Sequence, residues 1–145
     1  MKAPTDRSHI AFIKKIRKHC GRYGVFIEFS PSKSLNSGDG DRVLGYFQPP
    51  YRGELGLIRI ATGDGWQKAC YTASHEYSHF LSWLKNPKTW LRRVMSDRLD
   101  YYIKEEIFAE SHGLKLLRRH KVKVDYRKVK PAVKRYIRDV RALRG

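Results

Sequence analysis

The feature that most constrains the fold is the segment from Trp66 to Leu84, in which apolar residues recur at helical spacing. The apolar stripe consists of Trp66, Cys70, Ala73, Tyr77, Phe80 and Leu84. A period of about 3.6 residues is typical of an amphipathic helix that buries one face. Two histidines, His75 and His79, stand four residues apart and nearly opposite this stripe. The pattern therefore predicts a helix that presents both imidazoles to a neighbouring element.

The rest of the chain alternates strand-like and helix-like patterns. We predict further helices over residues 6–20, 88–100, 101–119 and 128–143, and strands over residues 25–30, 43–47 and 55–61. Asp64 is the expected N-cap of the helix that starts at Trp66. The fold class is α+β, with an N-terminal helix, a small sheet of about three strands and a helical C-terminal half. We expect residues 1–145 to form a single domain.

The helix carrying the two histidines contains the sequence His75-Glu76-Tyr-Ser-His79, an HExxH motif. Spacing i, i+4 places both imidazoles one turn apart, where they can bind one ion. Zinc suits two imidazoles and one carboxylate, and a catalytic zinc site uses three protein ligands with water in the fourth position. The motif thus calls for a third ligand elsewhere.

A downstream helix offers that ligand. Glu106, Ala109, Glu110 and Gly113 share one face, and two small residues would allow close packing against the histidine helix. We expect Glu106 to reach the metal and Glu110 to accept a hydrogen bond from a liganding histidine. Two alternatives for the third ligand are Glu105, about 100° away around the helix, and His112.

These segments resemble a known class of enzymes. Thr72–Leu81 looks like the active-site helix of zincin-fold metallopeptidases. Glu106–Leu117 resembles the second motif of the ImmA/IrrE family, and the pattern Tyr-x-x-Glu-Glu-x-x-Ala-Glu is also similar to antirestriction-type zincin domains. The resemblance implies a zincin-like fold, His75, His79 and Glu106 as Zn²⁺ ligands, and Glu76 as catalytic base. No helix-turn-helix, often associated with ImmA/IrrE proteins, is visible in the sequence.

The implied activity is hydrolysis of a peptide bond in a protein or peptide substrate. Glu76 would take a proton from the attacking water and pass it to the leaving amine. The strand at 55–61 is the expected edge for pairing with an extended substrate. Several residues have the chemistry of a second electrophile, and the sequence does not choose among them: Tyr71, Tyr101, Tyr102, His112 and Arg93.

The net charge of +17 is unevenly placed. Residues 1–23 hold seven Lys or Arg against one acid, residues 115–145 hold thirteen against two, and residues 24–114 hold eleven of each. Such basic ends favour nucleic acid or another polyanion as a partner. The alternative function is therefore a non-enzymatic nucleic-acid-binding protein with a structural or vestigial zinc site. A combination of the two functions is a peptidase that its basic ends recruit to nucleoprotein. A third candidate, an adaptor at a membrane surface, has little support because helix 128–143 has few bulky residues.

The expected compartment is the cytoplasm. The sequence shows neither an apolar run of roughly 18 residues nor the apolar core of a secretory signal. We expect its two cysteines, Cys20 and Cys70, to be free thiols, although one disulfide is an alternative. No membrane partner is expected, and the oligomeric state is open.

Overall fold

The computed structural model describes residues 2–38, 40–96 and 98–143. Within these ranges the chain forms five helices, a mixed three-stranded sheet and a separate two-stranded ribbon. The helices are α1 (Arg7–Gly21), α2 (Trp66–Lys85), α3 (Pro87–Met95), α4 (Leu99–Arg119) and α5 (Tyr126–Ala142). The strands are β1 (Val25–Ser30), β2 (Leu35–Asn36), β3 (Arg42–Val43), β4 (Gly45–Gln48) and β5 (Gly56–Ala61). The α+β class predicted from the sequence is confirmed.

The main sheet has the strand order β1-β5-β4. Strand β1 pairs with β5 in parallel, with Val25 opposite Gly56, and β4 pairs with the other side of β5 in the antiparallel direction. The prediction that residues 55–61 form an edge was therefore wrong, because β5 is hydrogen-bonded on both sides. Strand β4 is the edge that borders the histidine helix.

One face of the sheet packs against α1 and α2. Val25, Ile27 and Phe29 alternate with exposed residues along β1, and Ile58 and Ile60 point the same way from β5. The two helices cover this face with residues of similar chemistry: Phe12, Ile13, Ile16 and Cys20 from α1, and Cys70, Ala73, Tyr77 and Phe80 from α2. The apolar stripe predicted along the histidine helix therefore faces the core.

Helix α2 does not begin as predicted. Its N-cap is Gly65, which has φ 100° and ψ 165° and makes no side-chain capping bond. A backbone with this φ is accessible to glycine at little cost. Asp64, the predicted cap, lies one residue too early and instead approaches Lys68 Nζ at 3.4 Å.

Helices α1, α3 and α5 begin with side-chain caps, whereas the N-cap of α4, Arg98, makes no side-chain capping bond. Asn86 accepts a hydrogen bond from the Thr89 amide at 3.0 Å and so caps α3, which has Pro87 in its first turn. Asp125 caps α5, which begins at Tyr126, two residues before the predicted start at residue 128. Both cysteines are free and buried. No helix in the described ranges combines the length and apolar character needed to cross a membrane.

Candidate metal centre

Helices α2 and α4 lie close together because small residues stand at their contact. Ala109 is fully buried, and a Cβ atom added at Gly113 would lie 3.0 Å from Ser74 Oγ and 3.3 Å from the His75 amide nitrogen. Ser74 Oγ donates to the Gly113 carbonyl at 3.1 Å. The face of α4 that the sequence singled out therefore packs against α2, and it brings its carboxylates to the histidines.

Three side chains converge at this contact. His75 Nε2 and His79 Nε2 are 3.1 Å apart. Glu106 Oε2 lies 3.2 Å from His75 Nε2, and Glu106 Oε1 lies 3.3 Å from His79 Nε2. In the described part of the chain, His75, His79 and Glu106 are the group of residues able to hold a metal ion.

A carboxylate fixes each imidazole from the other side. His75 Nδ1 is 2.6 Å from Glu110 Oε2, and His79 Nδ1 is 2.7 Å from Glu105 Oε2. Glu105 is 1% exposed, and its second oxygen accepts a hydrogen bond from Ser82 Oγ at 2.7 Å. Such bonds place the ring proton on Nδ1 and direct the Nε2 lone pair toward a metal position.

The geometry of these donors fits a zinc ion. Two Nε2 lone pairs that face each other at 3.1 Å repel unless a cation or a proton lies between them. In a tetrahedral site with bonds of roughly 2.0 to 2.1 Å, neighbouring donor atoms lie about 3.3 to 3.4 Å apart. The observed separations of 3.1, 3.2 and 3.3 Å are close to these values. Two imidazoles and one carboxylate are also a donor set that zinc accepts.

The charges of the cluster also favour a bound cation. Burial lowers the pKa of His79, but its hydrogen bonds to Glu105 and Glu106 outweigh burial and raise that pKa to about 10. Burial raises the pKa of Glu106, yet hydrogen bonds from His75 and His79 hold it well below its ordinary value. Burial also raises the pKa of Glu110 to about 7. The metal-free cluster thus retains protons, which a metal ion would displace.

Glu76 lies beside the three donors and is not one of them. Its side chain is 7% exposed, and burial raises the pKa of its carboxyl. It lines a cleft of about 310 Å³ together with the three candidate ligands. The other walls come from β3, β4, α3, α4 and α5, through Val43, Gly45, Tyr46, Phe47, Trp90, Val94, Tyr102 and Tyr136.

The cleft wall contains a tyrosine of α5, Tyr136, that the sequence analysis did not name. Tyr136 Oη donates to Glu106 Oε2 at 2.7 Å, and its ring centroid is 6.0 Å from that of His75. Burial, the nearby Glu106 carboxylate and this hydrogen bond keep the pKa of Tyr136 far above its ordinary value, so the phenol remains a donor. In the sequence, Tyr136 stands at helical spacing among the apolar residues Val129, Val133, Ile137 and Val140. A tyrosine hydroxyl within such an apolar stripe was the one indication of a role for this residue.

Of the five candidates for a second electrophile, Tyr102 lines the cleft. Tyr71 borders a groove beside α5, and the Tyr101 ring stacks under the Arg98 guanidinium at 4.5 Å. Arg93 Nη1 approaches Glu105 Oε1 at 3.4 Å. His112 stacks on Phe108 with ring centroids 5.2 Å apart.

The two alternatives for the third ligand take other positions. Glu105 bonds to His79 Nδ1, on the side of the ring away from the other donors. His112 borders a different cavity, lined by residues of α2, α3 and α4. Glu106 is thus the carboxylate of α4 whose oxygens lie near both Nε2 atoms, 3.2 Å from that of His75 and 3.3 Å from that of His79.

Comparison with protein-family models, curated proteins and solved structures finds no match to this chain. The geometry described above is therefore the basis for assigning a function.

Proposed function

We propose that this protein is a zinc-dependent, zincin-like metallopeptidase that hydrolyses a peptide bond in a protein substrate. The observation that carries the proposal is the convergence of His75 Nε2, His79 Nε2 and Glu106 at separations of 3.1 to 3.3 Å. Carboxylates on both Nδ1 atoms support it, because such partners orient imidazoles for metal binding. The likeness to the ImmA/IrrE family and to antirestriction-type domains remains an expectation from two short motifs.

A zinc ion held by these residues supplies Lewis-acid activation of water and of a carbonyl group. Glu76 is positioned for proton transfer, since it lies in the same cleft and is not needed as a ligand. Burial raises the pKa of its carboxyl, which brings it nearer the range in which a general base works well at neutral pH. It would accept the proton of the attacking water and return it to the leaving amine.

The substrate would lie along β4. This strand forms the edge of the sheet beside the cleft, and Gly45, Tyr46 and Phe47 line it. An extended peptide can add to such an edge by backbone hydrogen bonds. The phenols of Tyr136, Tyr102 and Tyr46 line the cleft. Partial burial raises the pKa of Tyr136 and of Tyr102, so both stay protonated and able to donate. Either can stabilise negative charge on a carbonyl oxygen.

The alternative is a nucleic-acid-binding protein without enzymatic activity, and the basic ends of the chain favour it. A structural zinc site is normally closed by four protein ligands. In the ranges that the structure describes, three protein ligands converge, and the group borders an open cleft. This arrangement supports a catalytic role over a structural one.

The first experiment measures metal in the purified, untagged protein by elemental mass spectrometry, with His79→Ala and Glu106→Ala variants beside it. We expect about one zinc per chain in the wild type, held by His75, His79 and Glu106. Both variants should lose it. A wild type that takes up no zinc even after zinc is added would contradict the proposal.

The second experiment tests catalysis on unfolded casein as a general substrate. A Glu76→Gln variant should retain zinc and lose hydrolysis by at least about a hundredfold, since proton transfer contributes roughly 10²–10⁴. A Glu54→Gln variant, altered on the exposed loop before β5, is the matched control and should cleave like the wild type. Equal cleavage by the Glu76 variant and the wild type would rule out this role.

A further inference from the structure

The two basic ends of the chain lie against each other in the fold. The Nε2 of His9 donates to the Lys123 carbonyl at 2.6 Å, and the Lys123 amide donates to Ser8 Oγ at 2.8 Å. Phe12 packs on His120, with ring centroids 5.8 Å apart. Segments more than a hundred residues apart thus share one side of the molecule.

On this side, α1 presents a concave group of cations. Lys15, Lys18 and Arg22 are spaced by three and four residues, are exposed, and surround a pocket of about 340 Å³. His19 and Tyr77 complete the pocket, and His19 Nδ1 is 2.6 Å from Tyr77 Oη. None of the ion pairs between described residues involves the three cations. The partial negative charge at the C-terminal end of α1 offsets only about half a unit of their positive charge.

The end of α4 continues this positive surface. The His120 ring, next to Arg119 in sequence, packs on Phe12, which lies one helical turn before Lys15 on α1. Burial lowers the pKa of His120, and the charges of Lys15 and Arg119 lower it further. Lys121 follows, in the left-handed region with φ 51°. Hydrogen bonds from Lys121 N to Arg118 O (3.1 Å) and from Val122 N to Leu117 O (2.9 Å) form a Schellman motif, in which this position is usually glycine.

A lysine at such a position has a conformational cost that glycine avoids. Residues that break a local backbone preference concentrate at functional sites. Lys121 follows Arg119 by two residues and so adds a second positive side chain to this end of α4, in a backbone conformation that glycine favours. We call Lys15, Lys18, Arg22, Arg119 and Lys121 the basic face.

We propose that the basic face binds the phosphate backbone of nucleic acid, with the α1 pocket holding a phosphate group. Unpaired lysines and arginines are the residues that contact phosphates in such complexes. Tyr23 stands beside the pocket, 47% exposed and 5.7 Å from His19 between ring centroids, and offers a flat ring on which a base can stack.

The surface fits nucleic acid better than a membrane. Lipid insertion needs bulky apolar side chains beside the cations. Among the described residues 7–23 and 115–125, which carry the basic face, the exposed large hydrophobic side chains are Ile10 and Tyr23, and two such residues are too few to insert a surface into lipid. An acidic protein offers carboxylates but no regular series of bases that can stack on Tyr23. Nucleic acid is the partner that fits all three features of this surface. These are its uniformly positive charge, its concave pocket and the exposed ring of Tyr23.

The basic face and the metal cleft lie on opposite sides of α2. Tyr77 points toward α1, whereas His75 and His79, two residues to either side, point toward α4. Bound nucleic acid would therefore leave the cleft open. The proposal does not depend on peptidase activity, and a Glu76→Gln variant should bind nucleic acid like the wild type.

The test measures binding of fluorescein-labelled oligomers, a 20-base-pair DNA duplex and a 20-nucleotide RNA, across a salt series by anisotropy. Reversing two charges of the face, Lys18→Glu with Arg22→Glu, should weaken binding at least tenfold. A plot of log K against log salt has a negative slope, and its magnitude should be smaller by about two in this variant. Each lost phosphate contact reduces that magnitude by about 0.9. The control is Lys130→Glu with Lys134→Glu, which makes the same charge change on α5 and should weaken binding less than threefold.

Several outcomes would overturn the proposal. These are equal losses in the two double variants, no binding of either oligomer by the wild type, or equally tight binding to polyglutamate or to phosphatidylserine vesicles. Circular dichroism and thermal melting of every variant check that the fold is retained.

Lys121→Gly gives a second, independent readout. Removing the left-handed lysine should raise Tm by a few degrees and weaken oligomer binding by two- to fivefold. Arg52→Gly is the matched control, because Arg52 also has a positive φ, 48°, and lies in the turn before β5. It should raise Tm and leave binding unchanged. Unchanged binding in Lys121→Gly would remove Lys121 from the face.

Discussion

At the scale of single residues, the candidate centre consists of two layers that the sequence indicates to different degrees. The helical spacing of Glu106 and Glu110 predicted that both face α2, and the structure places them there. Glu105 entered the sequence analysis only as an alternative ligand. Its bond to His79 depends on how α4 is rotated against α2, and sequence spacing along one helix does not give that rotation.

The carboxylates behind the histidines should control metal affinity. Replacing Glu110 or Glu105 by Gln leaves the donors in place but weakens the orientation and basicity of the imidazole. We expect each variant to bind zinc about 10- to 100-fold more weakly, as measured by competition with a chromophoric chelator. Glu54→Gln, on an exposed loop, is the control. Wild-type affinity in both variants would show that these contacts do not support the metal.

Tyr136 should matter for catalysis more than for metal binding. Tyr136→Phe removes the hydroxyl that donates to Glu106 and keeps the ring. We expect retained zinc, a kcat reduced about tenfold or more and a KM changed little, because the donor acts on charge that develops during reaction. Tyr126→Phe is the control, since that hydroxyl, also on α5, bonds to the Val122 carbonyl away from the cleft. A parallel loss of zinc would make Tyr136 a support for the ligand.

At the scale of elements, the sequence predicted the helices well and the arrangement of strands poorly. Apolar periodicity is a local property, so the extents of α1 and α2 followed from it within a residue or two. Strand order depends on pairing between distant segments, and β5 became central because β1 pairs with it in parallel across a long connection. The position of Tyr136 over Glu106 likewise depends on how α5 packs.

The approach of α4 to α2 gives a prediction at this scale. An alanine at Gly113 gains about 1 kcal/mol of helix propensity. Its Cβ also meets the backbone of α2 near 3.3 Å, and crowding of this kind costs about 1–3 kcal/mol. We expect Gly113→Ala to lower the free energy of unfolding by about 1 kcal/mol and to weaken zinc binding.

Denaturant unfolding and chelator competition measure the two effects. Gly21→Ala is the control, because nothing lies within 4 Å of a Cβ added there and the residue ends α1. This variant should be stabilised by up to about 1 kcal/mol. A gain of stability in Gly113→Ala equal to that of the control would mean that the two helices do not need a glycine at their contact.

At the scale of the whole molecule, charge that is local in sequence becomes a surface property. The sequence showed two basic ends and a neutral middle, and the fold packs those ends together through His9, Ser8 and Lys123. Composition predicted the amount of charge but not its convergence on one side. The metal cleft, by contrast, is built from the neutral middle of the chain and from one residue of α5.

The two thiols should report unfolding of the whole chain. Burial raises the pKa of Cys20 and of Cys70 to about 12, so almost no thiolate is present near neutral pH in the folded protein. We expect both to be inert to Ellman's reagent in the native state and to react fully in guanidinium chloride. Any slow labelling of the thiols under native conditions should occur only in molecules that have transiently unfolded. Its rate should rise with pH only up to the ordinary thiol pKa near 8.5. Rapid labelling of the folded protein would contradict this burial.

Strand β4 has a consequence for which substrates are cut. Its four residues, followed at once by Pro49 and Pro50, accommodate only about 13 Å of extended chain. A folded domain seldom offers such a stretch outside its termini and loops, and elsewhere it must open locally first. Under the proposed function, the cleavage rate would follow the free energy of that opening. The enzyme would then select substrates mainly by how readily a segment unfolds locally, and the identity of the side chains would matter less.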